Sequence, residues 1–253
     1  MAYTVARVTL SGGFEPQELA DAITAVGSIE GRDVMVHASL RRLGPVRGGA
    51  DGVLEAIRLA LGPMGTMLMM VAADDREPFD RLASPADPDN GALAEVFRTY
   101  PGVEVNNHPA CRFAAWGPAA RTLLEPQPLH DYYGPGSPLE RLTTRRGAVL
   151  RLGADVDTVT LTHHAEYLAE LQHKRSARRR YSRADTGPVV IEGLDDTDGI
   201  ADWGNGDYFA QILVDFVAAD LAVTGPVGGC PAELLDARTF VDFATRWLEN
   251  QFG

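Results

Sequence analysis

Apolar positions recur along this chain in two rhythms, one near every third or fourth residue and one continuous over short runs. EPQELADAITAVG, 15–27, has helical spacing and a glycine at its end. RDVMVHASL, 32–40, holds a β-rich run from Val34 to His37 that opens into a loop. GGADGVLEAIRLALGP, 48–63, predicts an amphipathic helix closed by Gly62 and Pro63. GTMLMMVAA, 65–73, and GAVLRLGA, 147–154, are continuous apolar runs of buried-strand length. Between them, ALAEVFRTYPG, 92–102, reads as a helix stopped by Pro101–Gly102. CRFAAWGPAARTLLEP, 111–126, reads as a strand followed by a helix from near Pro118. TLTHHAEYLAE, 160–170, is helical again, and 175–194 is patterned as a hairpin about Asp185-Thr186-Gly187. Helical spacing in GDYFAQILVDFVAAD and DARTFVDFATRWLENQ predicts that two helices close the chain. Alternating helices and buried strands, without repeats or low-complexity linkers, imply an α/β fold on one central sheet.

Composition narrows the class without deciding function. No apolar run approaches the roughly 18 residues of a membrane span, and MAYTVARVTLSGG lacks the regions of a signal peptide. A cytoplasmic chain is the expectation. Two cysteines without a CxxC argue against a disulfide framework or a thiolate metal site. The formal net charge of −12 disfavours nucleic acid and anionic membranes and favours cationic partners, although the same charge also serves solubility.

Five stretches carry candidate chemistry. VMVHASLRRLGPVRGGADGV, 34–53, is a strand, a glycine- and arginine-bearing loop and a helix start, which suits a phosphate-bearing ligand. It is neither a Walker loop nor a GxGxxG fingerprint, and a structural strand–turn–helix has the same pattern. Acidic clusters at 72–91 and 192–203 offer carboxylates to a multiply charged amine, or are solvated loops. HKRSARRRYSR, 173–183, is an isolated basic run, expected as a strand edge or a contact to cofactor phosphates. In THHAE, His163 and Glu166 lie three apart on one helix face, as a general base and its orienting carboxylate would. The zinc patterns HExxH and HxxEH are not matched, so no metal is expected.

Taken in order, the motifs resemble one family, the aminoglycoside 3-N-acetyltransferases, which are acetyl-CoA-dependent antibiotic-resistance enzymes outside the GNAT fold. The resemblance rests on VHASLRRLGPVRGGADGVLEAI, GPMGTMLMM, DDREPFD, NNHPACRFAAWGPAA, YGPGSPLERL, GAVLRLGADVDTVTLTHHAEY and GPVGG at 225–229. It implies a single acetyltransferase domain over 1–253, with a central mixed sheet flanked by helices. The implied reaction moves acetyl from acetyl-CoA to the 3-amine of a 2-deoxystreptamine ring. On the matched motifs, His163, Glu166 and Thr160 are implied as catalytic. His37, Ser39, Leu40, Arg41 and Val46 are implied on the CoA side. Asp75, Glu77, Tyr133 and Asp195 are implied on the aminoglycoside side. Thr162 and His164 depart from the family's usual apolar residues, which leaves two adjacent imidazoles as candidates. The implied partners are acetyl-CoA and a cationic aminoglycoside, with no nucleic acid or membrane, acting as a monomer or homodimer. A same-fold acetyltransferase for another amine, or a non-catalytic CoA or polyamine binder, fits the same residues.

Overall fold

The computed structural model describes residues 13–74, 78–204 and 208–253. Asp75 and Glu77 therefore lie outside the described residues. In chain order the elements are α1 (Pro16–Val26), β1 (Asp33–Ala38), α2 (Leu40–Leu43), α3 (Gly49–Leu61) and β2 (Thr66–Met70). There follow α4 (Ala92–Arg98), β3 (Glu104–Val105), β4 (Phe113–Trp116), α5 (Ala120–Leu123), α6 (Pro138–Thr144) and β5 (Ala148–Leu152). The last third contains α7 (Leu161–Leu168), β6 (Ser176–Arg183), β7 (Gly187–Leu194), α8 (Tyr208–Ala218), β8 (Ala222–Val227), β9 (Cys230–Asp236) and α9 (Ala237–Phe252).

Seven strands form one mixed sheet in the order β3-β4-β2-β1-β5-β9-β8. The three central strands are parallel, and antiparallel pairs extend the sheet on both sides. Because successive strand residues face opposite ways, each central strand feeds two cores. Val34, Val36, Met67, Met69, Leu150 and Leu152 pack with α1, α3 and α4 on one face. Met35, Leu68 and Val149 pack with α6, α7, α8 and α9 on the other. That two-sided burial explains why the strands read as unbroken apolar runs. His37 and Arg151 continue the second alternation and are register partners on β1 and β5. Both side chains are buried at the carboxyl ends of parallel strands, where α/β sheets bind ligands.

The expectation that two helices close the chain is incomplete. Between them lies the hairpin β8–β9, which finishes the sheet. Gly225 and Pro226 argue against a strand in the sequence, and they are tolerated because β8 is an edge. β9, CPAELLD, is made largely of helix formers that pairing with β5 overrides. The short α6 was also hidden, although Ser137 caps it through Glu140 N–H and Pro138 opens it. The basic run forms β6 and pairs with β7 as a separate two-stranded ribbon. Among the described residues no helix is long and apolar enough to cross a membrane.

Candidate active site

Helix α7 follows the turn after β5 and carries His163 in its first turn. The His163 side chain keeps 15% of its surface exposed, while Glu166 keeps 1%. Nδ1 of His163 lies 2.9 Å from Oε2 of Glu166. A carboxylate only accepts, so Nδ1 carries the hydrogen and Nε2 of the neutral ring is left with a lone pair. The other carboxylate oxygen of Glu166 accepts from the Tyr208 hydroxyl. The Ile200 N–H in turn donates to that hydroxyl at 2.9 Å. The imidazole is held in its plane by Tyr133, stacked at 4.6 Å and 11°, and by the edge-on ring of Phe209 at 4.8 Å.

The two adjacent histidines do different things. His164 is buried, and its Nδ1 donates to the carbonyl of Tyr133 at 2.9 Å. Burial pushes its pKa down. It thereby anchors the backbone of the residue that stacks on His163.

Two cavities are reached through neighbours of this dyad, Thr160 on one and Phe209 on the other, while His163 and Glu166 themselves line neither. The first, about 410 Å³, opens at the carboxyl ends of β1 and β2 and is lined by His37, Ser39, Leu40, Arg41 and Thr160. Ser39 also caps α2 by accepting from Arg42 N–H. Arg151, fully buried, donates to the carbonyls of Ala154, Asp155 and Thr158 and pairs with Glu233 at 3.1 Å. It therefore fixes the turn that leads into Thr160 and His163. Burial, and secondarily the Arg151 guanidinium, push the His37 pKa down to about 3, so its ring is neutral. Its Nε2 is buried and makes no hydrogen bond among the described residues. Val46 does not line this cavity; it bridges to Phe14 and packs against the core.

The second cavity, about 600 Å³, lies beside Tyr208 and Phe209. Asp157, Asp196, Asp198 and Asp202 line it against one guanidinium, that of Arg175, with Trp203 as a further aromatic wall. Its loop wraps around Arg175, which donates to the carbonyls of Asp198, Gly199 and Ala201 and to the Asp202 carboxylate. Arg175, Arg178, Arg179 and Arg183 of the basic run thus meet carboxylates of their own ribbon and loop, and none of the run's arginines lines the strand-end cavity. Arg178 pairs with Glu192, Arg179 with Asp195 and Asp196, and Arg183 with Asp185.

Two sequence-derived substrate residues sit elsewhere than expected. Asp195 does not line the acidic cavity; it accepts from the N–H groups of Thr197 and Asp198 and from Arg179, which holds the turn together. Its neighbours Asp196 and Asp198 are the ones on the wall. Tyr133 is 3% exposed, and its hydroxyl points inward to the sulfur of Met70 at 3.6 Å. Its contribution is the ring beneath His163. Tyr208, Phe209, Trp203, Arg175 and Asp157 were not singled out from the sequence. The acidic cluster at 192–203 signalled the loop, but helical periodicity alone assigned Tyr208 and Phe209 to packing.

Comparison with known proteins matches this geometry to a family. Residues 35–249 match the family model described as aminoglycoside 3-N-acetyltransferase. The chain is 35% identical over 259 residues to aminoglycoside N(3)-acetyltransferase III of Pseudomonas aeruginosa, covering 93% of each. It is 34% identical to aminoglycoside N(3)-acetyltransferase VIII of Streptomyces fradiae, covering 91% of this chain and 90% of that protein. Among solved structures, AAC-IIIb in a binary complex with CoASH superposes with a TM-score of 0.91 at 36% identity, covering 94% of this chain and 97% of that one. AAC-VIa bound to sisomicin superposes with a TM-score of 0.90 at 32% identity, covering 95% and 99%.

Proposed function

The chain belongs to the aminoglycoside 3-N-acetyltransferase family, and we propose that it transfers acetyl from acetyl-CoA to the 3-amine of an aminoglycoside, as one cytoplasmic acetyltransferase domain conferring resistance. The observation that carries this reading is that the neighbours of the His163–Glu166 pair reach two separate cavities. Thr160, one turn before the base, lines the strand-end cavity, and Phe209, against the imidazole, lines the acidic one.

The strand-end cavity suits the cosubstrate. Arg41 is an exposed cation for phosphates, while Ser39, Thr160 and the unpartnered Nε2 of neutral His37 offer hydrogen bonds to amide or acyl groups deeper in. The acidic cavity suits a polyamine, because four carboxylates face one guanidinium. Both substrates bind together. An ammonium has no lone pair, so a proton must leave the 3-amine before it attacks. Nε2 of His163 accepts that proton, while Glu166 holds the tautomer and faces the imidazolium that forms. The amine nitrogen bonds to the thioester carbonyl carbon, and Thr160 or nearby N–H groups stabilise the resulting oxyanion. The C–S bond then breaks, the imidazolium gives its proton to the departing thiolate, and the freed imidazole takes the second proton from the nitrogen and passes it to solvent, leaving a neutral amide.

Thiol release from acetyl-CoA in the presence of a panel of aminoglycosides tests the reading, with the product's acetyl position assigned by NMR. Release at the blank rate with every aminoglycoside, or acetyl on an amine other than the 3-amine, would overturn it.

A further inference from the structure

Tyr208 opens α8, and its ring is almost wholly buried, with its edge on the acidic cavity. Its hydroxyl sits at a junction of three elements. It donates to Glu166 on α7 and accepts from Ile200 N–H in the loop that lines the acidic cavity. Gly199, in that loop, has φ +73°, and a Cβ there would stand 2.4 Å from the hydroxyl. Only glycine therefore lets the loop close onto the phenol. One step further out, the same loop is wrapped on Arg175. The result is a continuous chain of hydrogen bonds from the ribbon, through the cavity wall and Tyr208, to the carboxylate that orients the base.

We propose that Tyr208 is a positioning residue for acetyl transfer, holding the Glu166 carboxylate in the plane where it can orient His163 and tempering its charge. The proposal rests on the assignment of His163 as the base. A carboxylate with one donor on each oxygen has its rotation fixed, whereas with His163 alone it is free to turn. The hydroxyl also takes up part of the carboxylate's negative charge, which weakens the carboxylate's hold on the imidazolium. Among the described residues, the other charged group near Glu166 is Lys174, after α7, whose ammonium donates to the Tyr167 carbonyl and senses Glu166, with Glu249 of α9 beyond it. Neither Lys174 nor Glu249 is hydrogen-bonded to Glu166 among the described contacts, so Tyr208 and His163 are its two direct partners.

Tyr208→Phe separates positioning from packing, because it removes one oxygen and keeps the ring. The expected result is a fall in kcat of about tenfold with KM for both substrates within about twofold, since the lost bond is to a charged acceptor. The acid limb of the kcat/KM profile is expected to move up by about half a pH unit, because Glu166 then faces the imidazolium with its charge undivided. A folded variant with unchanged kcat and an unmoved acid limb overturns the proposal. So does a loss of kcat with an unmoved limb, which would make the tyrosine merely structural. Should Tyr208→Phe not fold, 3-fluorotyrosine at position 208 keeps the shape and strengthens the donor, so the limb is expected to move down. A limb that stays in place overturns the proposal in that experiment as well. Absence of acetyl transfer by the wild-type chain would overturn the base assignment itself, and is distinguished by being seen before any substitution.

Discussion

The two cavities reached through Thr160 and Phe209 are built by different means. The strand-end cavity is a product of the sheet: its floor is the carboxyl ends of β1 and β2, and the turn along it is fixed from beneath by one buried guanidinium, that of Arg151. The acidic cavity is a product of a loop. Apart from Asp157, its lining carboxylates stand on 196–202, a loop kept in place by Arg175 and Arg179, both partly exposed at the surface. One wall is held by burial and backbone pairing, the other by ion pairs and carbonyls gathered around side chains. The lesson is that, on the proposed function, a site moulded by the sheet and one moulded by a loop would serve the same base.

Several experiments break or sharpen this contrast. The largest effect is expected from the proposed base: His163→Ala should lower kcat by roughly 100-fold or more. CoA binding by calorimetry should persist, because the strand-end cavity does not contain the ring. Near-normal turnover would remove the base assignment. Next, Arg175→Ala should raise KM for the aminoglycoside about tenfold and leave KM for acetyl-CoA unchanged, because the loop loses three carbonyl bonds and their geometry. Deleting a cation also makes the cavity more negative, but its partner Asp202 is 98% exposed, so that opposing effect is a screened surface interaction of about 1 kcal/mol at most. A fall in KM would show that charge outweighs shape on this wall.

Acid should expose the buried side of the comparison. His37 has its pKa depressed from 6.5 to about 3, so below 6.5 the unfolded chain binds a proton that the folded one refuses. Stability is therefore complete above pH 6.5 and is lost as pH falls from there towards 3. In Tm measured against pH, His37→Gln should flatten part of that decline, and an unchanged slope would mean other groups govern it. The smallest effect concerns the helix that carries the base. Thr162 is fully buried and its hydroxyl makes no hydrogen bond among the described residues. Thr162→Val should raise stability by about 1 kcal/mol, seen as a higher Tm with kcat unchanged. A lower Tm would mean that the hydroxyl is satisfied after all.

The same contrast explains what was legible in the sequence. Strands β1, β2 and β5, and the helices α1, α3 and α7, follow from local patterning, because each buries a face of fixed period. So does the His163–Glu166 contact, since residues three apart on a helix meet whatever surrounds them. Asp195 could not be told from Asp196 in the same way. Which of two adjacent carboxylates turns inward to cap its own loop depends on Arg179, sixteen residues earlier, and on Tyr132 far upstream, which donates to Asp196. Tyr208 was hidden for a related reason. Its ring satisfies the helical pattern of α8, and nothing local reveals that its hydroxyl ends on a carboxylate 42 residues away. The hairpin β8–β9 was obscured because its breakers and helix formers are overruled by pairing at the sheet edge.

Arg151 has one further consequence, for anyone seeking to block this protein. Its guanidinium is enclosed by three carbonyls and a carboxylate, so reshaping the turn above it would strand a charge in a dry interior. A compound fitted to that side would meet a turn whose shape is set from beneath by a buried charge.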